Sequence, residues 1–419
     1  MSGWCEQGAQ LDLTGKRKEV SVAGVRRCLV VGVLTALLLT SVSGAQSGST
    51  TPELLVMLAQ VPLDVAFSQS GWATARFVDY EALFRAEGVS LLRALGDVGL
   101  LMNSVPLGGI LSRIVAGPDA LSYLYSSAGQ MADAVGFEWL LHVDRSLEFG
   151  DPPSVGLLLG GDFDDTAIGT ALQGRGFSLS NVSEVPVWYR FEDGAISFAA
   201  RDIVDPFGGH LGAAARIALL PNGLANARSW PLIETIIGAA QGIQPSLADN
   251  RGYRVLAEVI SEPDGLLIQA LFFTGTALRL AGDPTKAELE PAVDFASLPA
   301  FSLAVLADRQ EGDNQVHLIG LVCADLPTAQ TAAQVLAGRV EAFHPPDRPE
   351  EVLVKQLGAT VSCSVVERLQ DSLAIAVVEA RYPLPSPRTD PQTGQFRTGG
   401  LLYRAWVRAI MRREFTPLW

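Results

Sequence analysis

Residues 155–200, VGLLLGGDFDDTAIGTALQGRGFSLSNVSEVPVWYRFEDGAISFAA, change hydrophobic period twice within one compact unit. The apolar run 155–159 reads as a buried strand. Asp164 or Asp165 can cap a helix through Leu172, because a carboxylate at a helix start accepts hydrogen bonds from the free backbone N–H groups of the first turn. Two further strands are expected at 186–190 and 195–199, joined by a turn at Glu192-Asp193-Gly194. The unit reads strand–helix–strand–strand. A strand at 137–143, turned back at Asp151-Pro152-Pro153, precedes it.

The same order recurs near the C-terminus. Strands 301–307 and 316–324 form a hairpin over Glu311-Gly312-Asp313-Asn314. Asp325 or Thr328 caps a helix through Phe343, a short helix covers 350–357, and strands 360–367 and 373–380 follow. Phe137 set against Phe301 and Val155 against Val316 give nearly equal offsets, too long for a solenoid repeat of about 20–50 residues. The expected fold class is therefore α+β: two related strand-strand-helix-strand-strand modules, mostly antiparallel sheets with helices on one face, plus an N-terminal helical layer. The corresponding division is 1–45 signal, 46–136 helical segment, 137–290 first domain and 291–419 second domain. Its boundary falls at 282–299, where periodicity gives way to proline and acidic residues.

Between these landmarks, Thr51-Pro52 opens a helix at 53–60, a strand at 73–78 leads to a cap at Asp79, and residues 90–136 read as short amphipathic helices broken at Pro106 and Gly117-Pro118. After the first unit come a hairpin at 216–220 and 224–227 over Pro221-Asn222-Gly223, helices at 230–241 and 252–260, and a strongly apolar strand at 265–273. The chain closes on a helix from 401 to 414.

Lys16, Arg17, Lys18, Arg26 and Arg27 precede the apolar run 28–39, and Ser43-Gly44-Ala45 supplies the small residues of a cleavage site. This is the pattern of a secretory signal cut after Ala45, its apolar core shorter than the roughly 20 residues of a spanning helix. The address is extracytoplasmic, whether secreted, periplasmic or cell-surface, with a signal-anchored membrane protein as the alternative. The formal charge is −14, and it becomes −16 without the first 45 residues. Such a surface repels phosphate backbones, so nucleic-acid binding is not expected.

There is no G-x-S-x-G elbow, H-E-x-x-H, P-loop or paired C-x-x-C, and hence no catalytic residue, cofactor or metal site is assigned. His142, His210, His317 and His344 are scattered. Asp162, Asp164 and Asp165 cluster at a strand-to-helix junction, where capping explains them better than calcium. Glycines in the loop 207–212 serve the backbone before they serve a ligand. Asn181-Val182-Ser183 has the form of a glycosylation acceptor. Signal cleavage would leave Cys323 and Cys363 as the only cysteines, candidates for a disulfide in an oxidising compartment. Arg404, Arg408 and Arg412 line one side of the C-terminal helix, with Leu402, Trp406 and Ile410 on another. They are the candidate surface contact for a membrane or an acidic partner.

Ser246-Leu247-Ala248-Asp249-Asn250 with Tyr253, and Gly161-Asp162-Phe163-Asp164 opening a helix that ends in Arg175-Gly176-Phe177, resemble motifs of a family of uncharacterised bacterial extracytoplasmic proteins. The resemblance implies a signal or anchor, an α+β body and an envelope location, and it supplies no catalytic residue. The functional expectation is an exported, non-catalytic envelope protein that binds an unknown protein or small ligand. Membrane contact would run through an uncleaved signal or the C-terminal helix. The alternatives are a carrier for an apolar ligand held under the helices of 90–136, and an enzyme with an unfamiliar site.

Overall fold

The computed structural model describes residues 51–64, 75–104, 106–115, 128–151, 154–261, 265–274, 298–345, 350–368, 371–386 and 396–411, with isolated residues between. The signal segment lies outside the described residues except where the dipeptides Gln10–Leu11 and Arg17–Lys18 pair. Residues 275–297, which hold most of the expected domain boundary, also lie outside them.

The main strands, in chain order, are β1 (Ala75–Asp79), β2 (Val143–Asp151), β3 (Ser154–Gly161), β4 (Ser178–Val182), β5 (Val185–Arg190), β6 (Ala215–Leu220), β7 (Gly223–Ala227), β8 (Leu266–Thr274), β9 (Phe301–Glu311), β10 (Asn314–Cys323), β11 (Thr360–Arg368) and β12 (Leu373–Pro383). They make one sheet of twelve strands in the order β11-β12-β10-β9-β8-β1-β2-β3-β7-β6-β5-β4, every pairing antiparallel. The α+β class stands. All twelve strands share this single sheet, whose two halves meet where Phe77 of β1 faces Ala270 of β8.

The expectation of helices on one face is corrected, because both faces are covered. On the first face one continuous core runs from Val187 on β5 through Phe77, Ala270, Val305 and Leu318 to Val366 on β11. It lies under α1 (Glu53–Leu58), α9 (Trp230–Ala240) and α10 (Arg251–Ile260). On the second face the core is split. One part gathers α2 (Tyr80–Ala86), α3 (Ser90–Ala94), α4 (Val98–Ser104), α5 (Leu107–Leu111), α6 (Met131–Val135), α7 (Trp139–His142) and α8 (Asp165–Gly174) over β1 to β7. The other gathers α11 (Leu326–Glu341), α12 (Leu353–Gln356) and α13 (Leu401–Met411) over β8 to β12. Burial on both faces explains why β9 and β10 read as unbroken apolar runs rather than alternating ones.

The local causes are those of the sequence. Asp164 caps α8 by accepting from Thr166 and Ala167 N–H at 2.9 and 3.1 Å, and Asp325 caps α11 from Thr328 at 2.8 Å. Buried Ala329, Ala332, Ala333 and Ala337 let α11 lie close on its sheet. Gly136 ends α6 at φ +83°, and a Cβ there would stand 2.5 Å from the backbone of Ile168. Only glycine lets that turn rest on α8.

Three elements differ from expectation. The strand read at 137–143 is a helical turn, α7, followed by β2, a strand in which the polar Ser146 and Glu148 are buried along with Val143, Leu147 and Phe149. The third strand of the first unit is β4, not 195–199. Ser178-Leu179-Ser180-Asn181-Val182 is polar because it is a sheet edge, whereas 195–199 makes only a bridge at Ile196–Ala213 and a 3-10 turn, Phe198–Ala200. Finally, β12 pairs directly with β10, while β7 and β6 stand between β3 and β5.

Candidate functional site

Where the second-face core divides, a row of polar side chains crosses the sheet. Ser146 on β2, Gln269 on β8, Asp308 and Gln310 on β9, and Gln315 and His317 on β10 are all buried. The register puts them abreast, with Val78 opposite Ser146 and Gln269, then Gln269 opposite Asp308, and Asp308 opposite His317. Gln269 interrupts the apolar strand LLIQALFF, and Asp308 ends the apolar run FSLAVLAD.

Arg113, two residues beyond α5, inserts into this seam. Its Nε and Nη2 donate to both Asp308 oxygens at 2.9 Å each, and Nη1 donates to Gln310 Oε1 at 2.8 Å and Glu87 Oε1 at 3.4 Å. Gln269 Nε2 donates to Arg113 O at 2.8 Å, and Val115 N–H donates to Gln269 Oε1 at 3.1 Å. The seam thus fixes both side chain and backbone of the segment after α5. Gly399 and Gly400 pass directly over it. A Cβ on the first would meet Arg113 Nη1 at 2.7 Å and one on the second Asp308 Oδ2 at 2.7 Å, and Gly400 N–H donates to Gln315 Oε1.

Burial works against the charge on Arg113, but the Asp308 carboxylate and then Glu87 outweigh it and raise its pKa. Burial pulls the His317 imidazole down to about 4, against the opposing pull of Asp308, so it is neutral at pH 7. Its ring lies 5.9 Å from that of Tyr403 and 5.7 Å from Trp406, both on α13. Arg113, Gln269, Asp308 and Gln310 are bonded to one another and shut from solvent, and this part of the seam staples the segment after α5 to the sheet.

A second polar cluster lies at the β4 end of the same face. Arg175 Nη2 meets Asp202 at 2.7 Å and its Nη1 meets Asp205 at 3.2 Å, while Arg190 reaches Asp205 only at 3.6 Å and stacks on Phe177 at 4.7 Å. Burial raises the Asp205 pKa and lowers that of Arg190. The loop 207–212 is a 3-10 turn here, with Gly208 and Gly212 both at positive φ, and a Cβ on Gly212 would lie 2.0 Å from Ser197 O. Its glycines serve backbone packing.

The remaining sequence candidates are dispersed. Cys323 is free and buried, its thiol pushed up to about 11 by burial, so the Cys323–Cys363 disulfide is corrected. Cys323 faces Ala374 and Cys363 faces Val378 from opposite sides of β12. That is two strand spacings, about 10 Å, and four residues, about 13 Å, against a Cα limit of about 7 Å for a bridge. Cys363, unlike Cys323, is not free. On α13, Leu402, Tyr403, Trp406, Val407 and Ile410 are buried in the core. Arg404 donates to Ser112 O at 3.1 Å, Arg408 is exposed, and Arg412 lies outside the described residues. The apolar stripe of α13 is thus taken by the core over β8 to β12. Among the described residues no three His, Cys, Asp or Glu are placed to hold a metal, and no helix is long and apolar enough to cross a membrane.

Sequence reading missed Arg113, Asp308 and Gln269. The available signal was a polar residue breaking each of several neighbouring apolar strands.

No family model matches the chain, and no curated protein is similar to it. Among solved structures, three crystal forms of TP0453 align at 9% identity. Form III covers 80% of this chain and 95% of its own with a TM-score of 0.33, and form I covers 80% and 94% with 0.32. Form IV covers 75% and 92% with 0.30.

Proposed function

We propose that this chain is an exported protein of the cell envelope that acts by binding a partner or ligand rather than by catalysis. The observation that carries the reading is the segment 16–45, with basic residues, then a dozen apolar ones, then Ser43-Gly44-Ala45. Arg113, Asp308, Gln269 and Gln310 in the seam are bonded to one another and buried, which favours binding at the surface over chemistry by these groups in the interior. The resemblance to bacterial extracytoplasmic proteins points the same way.

Fusion of residues 1–60 to a reporter enzyme that works only after export tests the address. Activity together with N-terminal sequencing that begins at or near Gln46 is the expected result; a cytosolic chain that begins at Met1 would remove the reading.

A further inference from the structure

The loop between β5 and β6 leaves three large apolar side chains in solvent: Ile196 at 57%, Phe198 at 71% and Ile203 at 58% exposed. Leu179, on the neighbouring edge strand, is exposed as well. The loop is held in place. Ser197 N–H donates to Gly212 O and Asp202 N–H to Gly209 O, each at 2.8 Å, and Arg175 fastens Asp202 from the end of α8. Exposure of Phe198 is therefore part of the fixed structure, because the loop cannot fold down to cover it.

Cations accompany these residues. Arg201 lies over the Phe198 ring at 4.4 Å and is exposed, and Arg228 borders Gly208 on the same glycine turn. Among the described residues neither arginine has an ion-pair partner, in a chain of net charge −14. A protein partner would need a matching surface of about 800 Å² for a stable complex. An apolar loop tip with arginines behind it instead matches a bilayer, whose phosphates overlie an acyl layer.

We propose that residues 196–203 form a membrane-docking loop, with Ile196, Phe198 and Ile203 entering the acyl boundary of an anionic lipid surface and Arg201 and Arg228 meeting its phosphates. The acidic remainder of the body is repelled by the same surface, so this corner sets the orientation. The proposal deepens the envelope reading and takes from it only the compartment.

Hydrogen exchange of the full chain, read peptide by peptide, tests it with vesicles of phosphatidylcholine alone or mixed in equal parts with phosphatidylglycerol. The readout is local because the apolar run 28–39 can bring the chain to a vesicle by itself. Amides of 195–204 should become protected on the mixed vesicles, less so at high salt. Phe198→Ala with Ile203→Ser should weaken that protection about tenfold, Arg201→Glu should abolish the preference for anionic lipid, and Leu91→Ser, elsewhere on the surface, should change nothing. Thermal melts verify that each variant is folded. Protection that is absent, or unchanged in the Phe198 variant, overturns the proposal, as does a lipid-independent self-association lost in that variant. Vesicle binding requires no export and the export reporter requires no lipid, so the two readings fail separately.

Discussion

The two polar clusters on the second face of the sheet contain the same side-chain types held in opposite ways. In the seam, Arg113 meets Asp308 through two hydrogen bonds of 2.9 Å, and its charge is favoured despite burial. In the corner, Arg190 stands 3.6 Å from Asp205, and burial dominates both groups, lowering the base and raising the acid. A buried ion pair is set by the directionality of its bonds more than by proximity. The seam joins β8 and β9 to the segment after α5, whereas the corner supports a loop.

The sharpest way to break this contrast is to remove one partner from each cluster. Arg113→Met strands Asp308 in the core and should lower unfolding free energy in urea by about 3–5 kcal/mol. Arg113→Met with Asp308→Leu should recover much of that loss. If the double variant is no better than the single, the seam is not a discrete pair.

The next effect sharpens the contrast through pH. His317 is depressed to about 4 from 6.5, so its contribution is present above pH 6.5 and is lost as pH falls toward 4. Asp79 is raised by burial from 3.8 to about 6, against the N–H of Ala82 and the charge of Arg145. Its contribution is present below pH 3.8 and is lost as pH rises through 6. Each slope is on the order of 3 kcal/mol, and between about pH 4 and 6 they oppose one another. Wild-type stability should therefore be nearly flat there. His317→Phe should leave a chain that gains stability as pH falls from 6 to 4, and Asp79→Asn one that loses it. Parallel curves for the two variants would refute the opposition.

Arg190→Met should cost only about 1–2 kcal/mol, since Arg175 still holds Asp205. Smallest is Arg404→Ala at about 0.5–1 kcal/mol, for one hydrogen bond to Ser112. A loss at Arg190 equal to that at Arg113 would erase the distinction between the clusters.

Much of the fold was legible because strand and helix signals are local. Asp164, Asp325 and Asp79 cap the helices their positions implied, and the hairpin over Glu311–Asn314 is where its turn residues put it. What escaped reading depended on distant partners. Glu148 on β2 is balanced by Arg76 opposite it on β1, and β4 is polar because one of its edges is unpaired. The seam escaped for the same reason. Arg113 and Asp308 are 195 residues apart, and nothing near either one announces the other. His317 was read as a satisfied core residue; it is buried in the core, but its two ring nitrogens find no hydrogen-bond partner among the described residues.

The ladder between β1 and β8 has a bearing on when this protein can finish folding. It ties residue 77 to residue 270, so the middle of the sheet cannot close until the greater part of the chain is available. Until then β1 and β8 each offer a bare edge, the kind of surface on which nascent chains aggregate. A polypeptide threaded through a membrane pore from its N-terminus would keep that gap open for most of its passage, and would need a chaperone's cover or speed on the far side to zip the halves together.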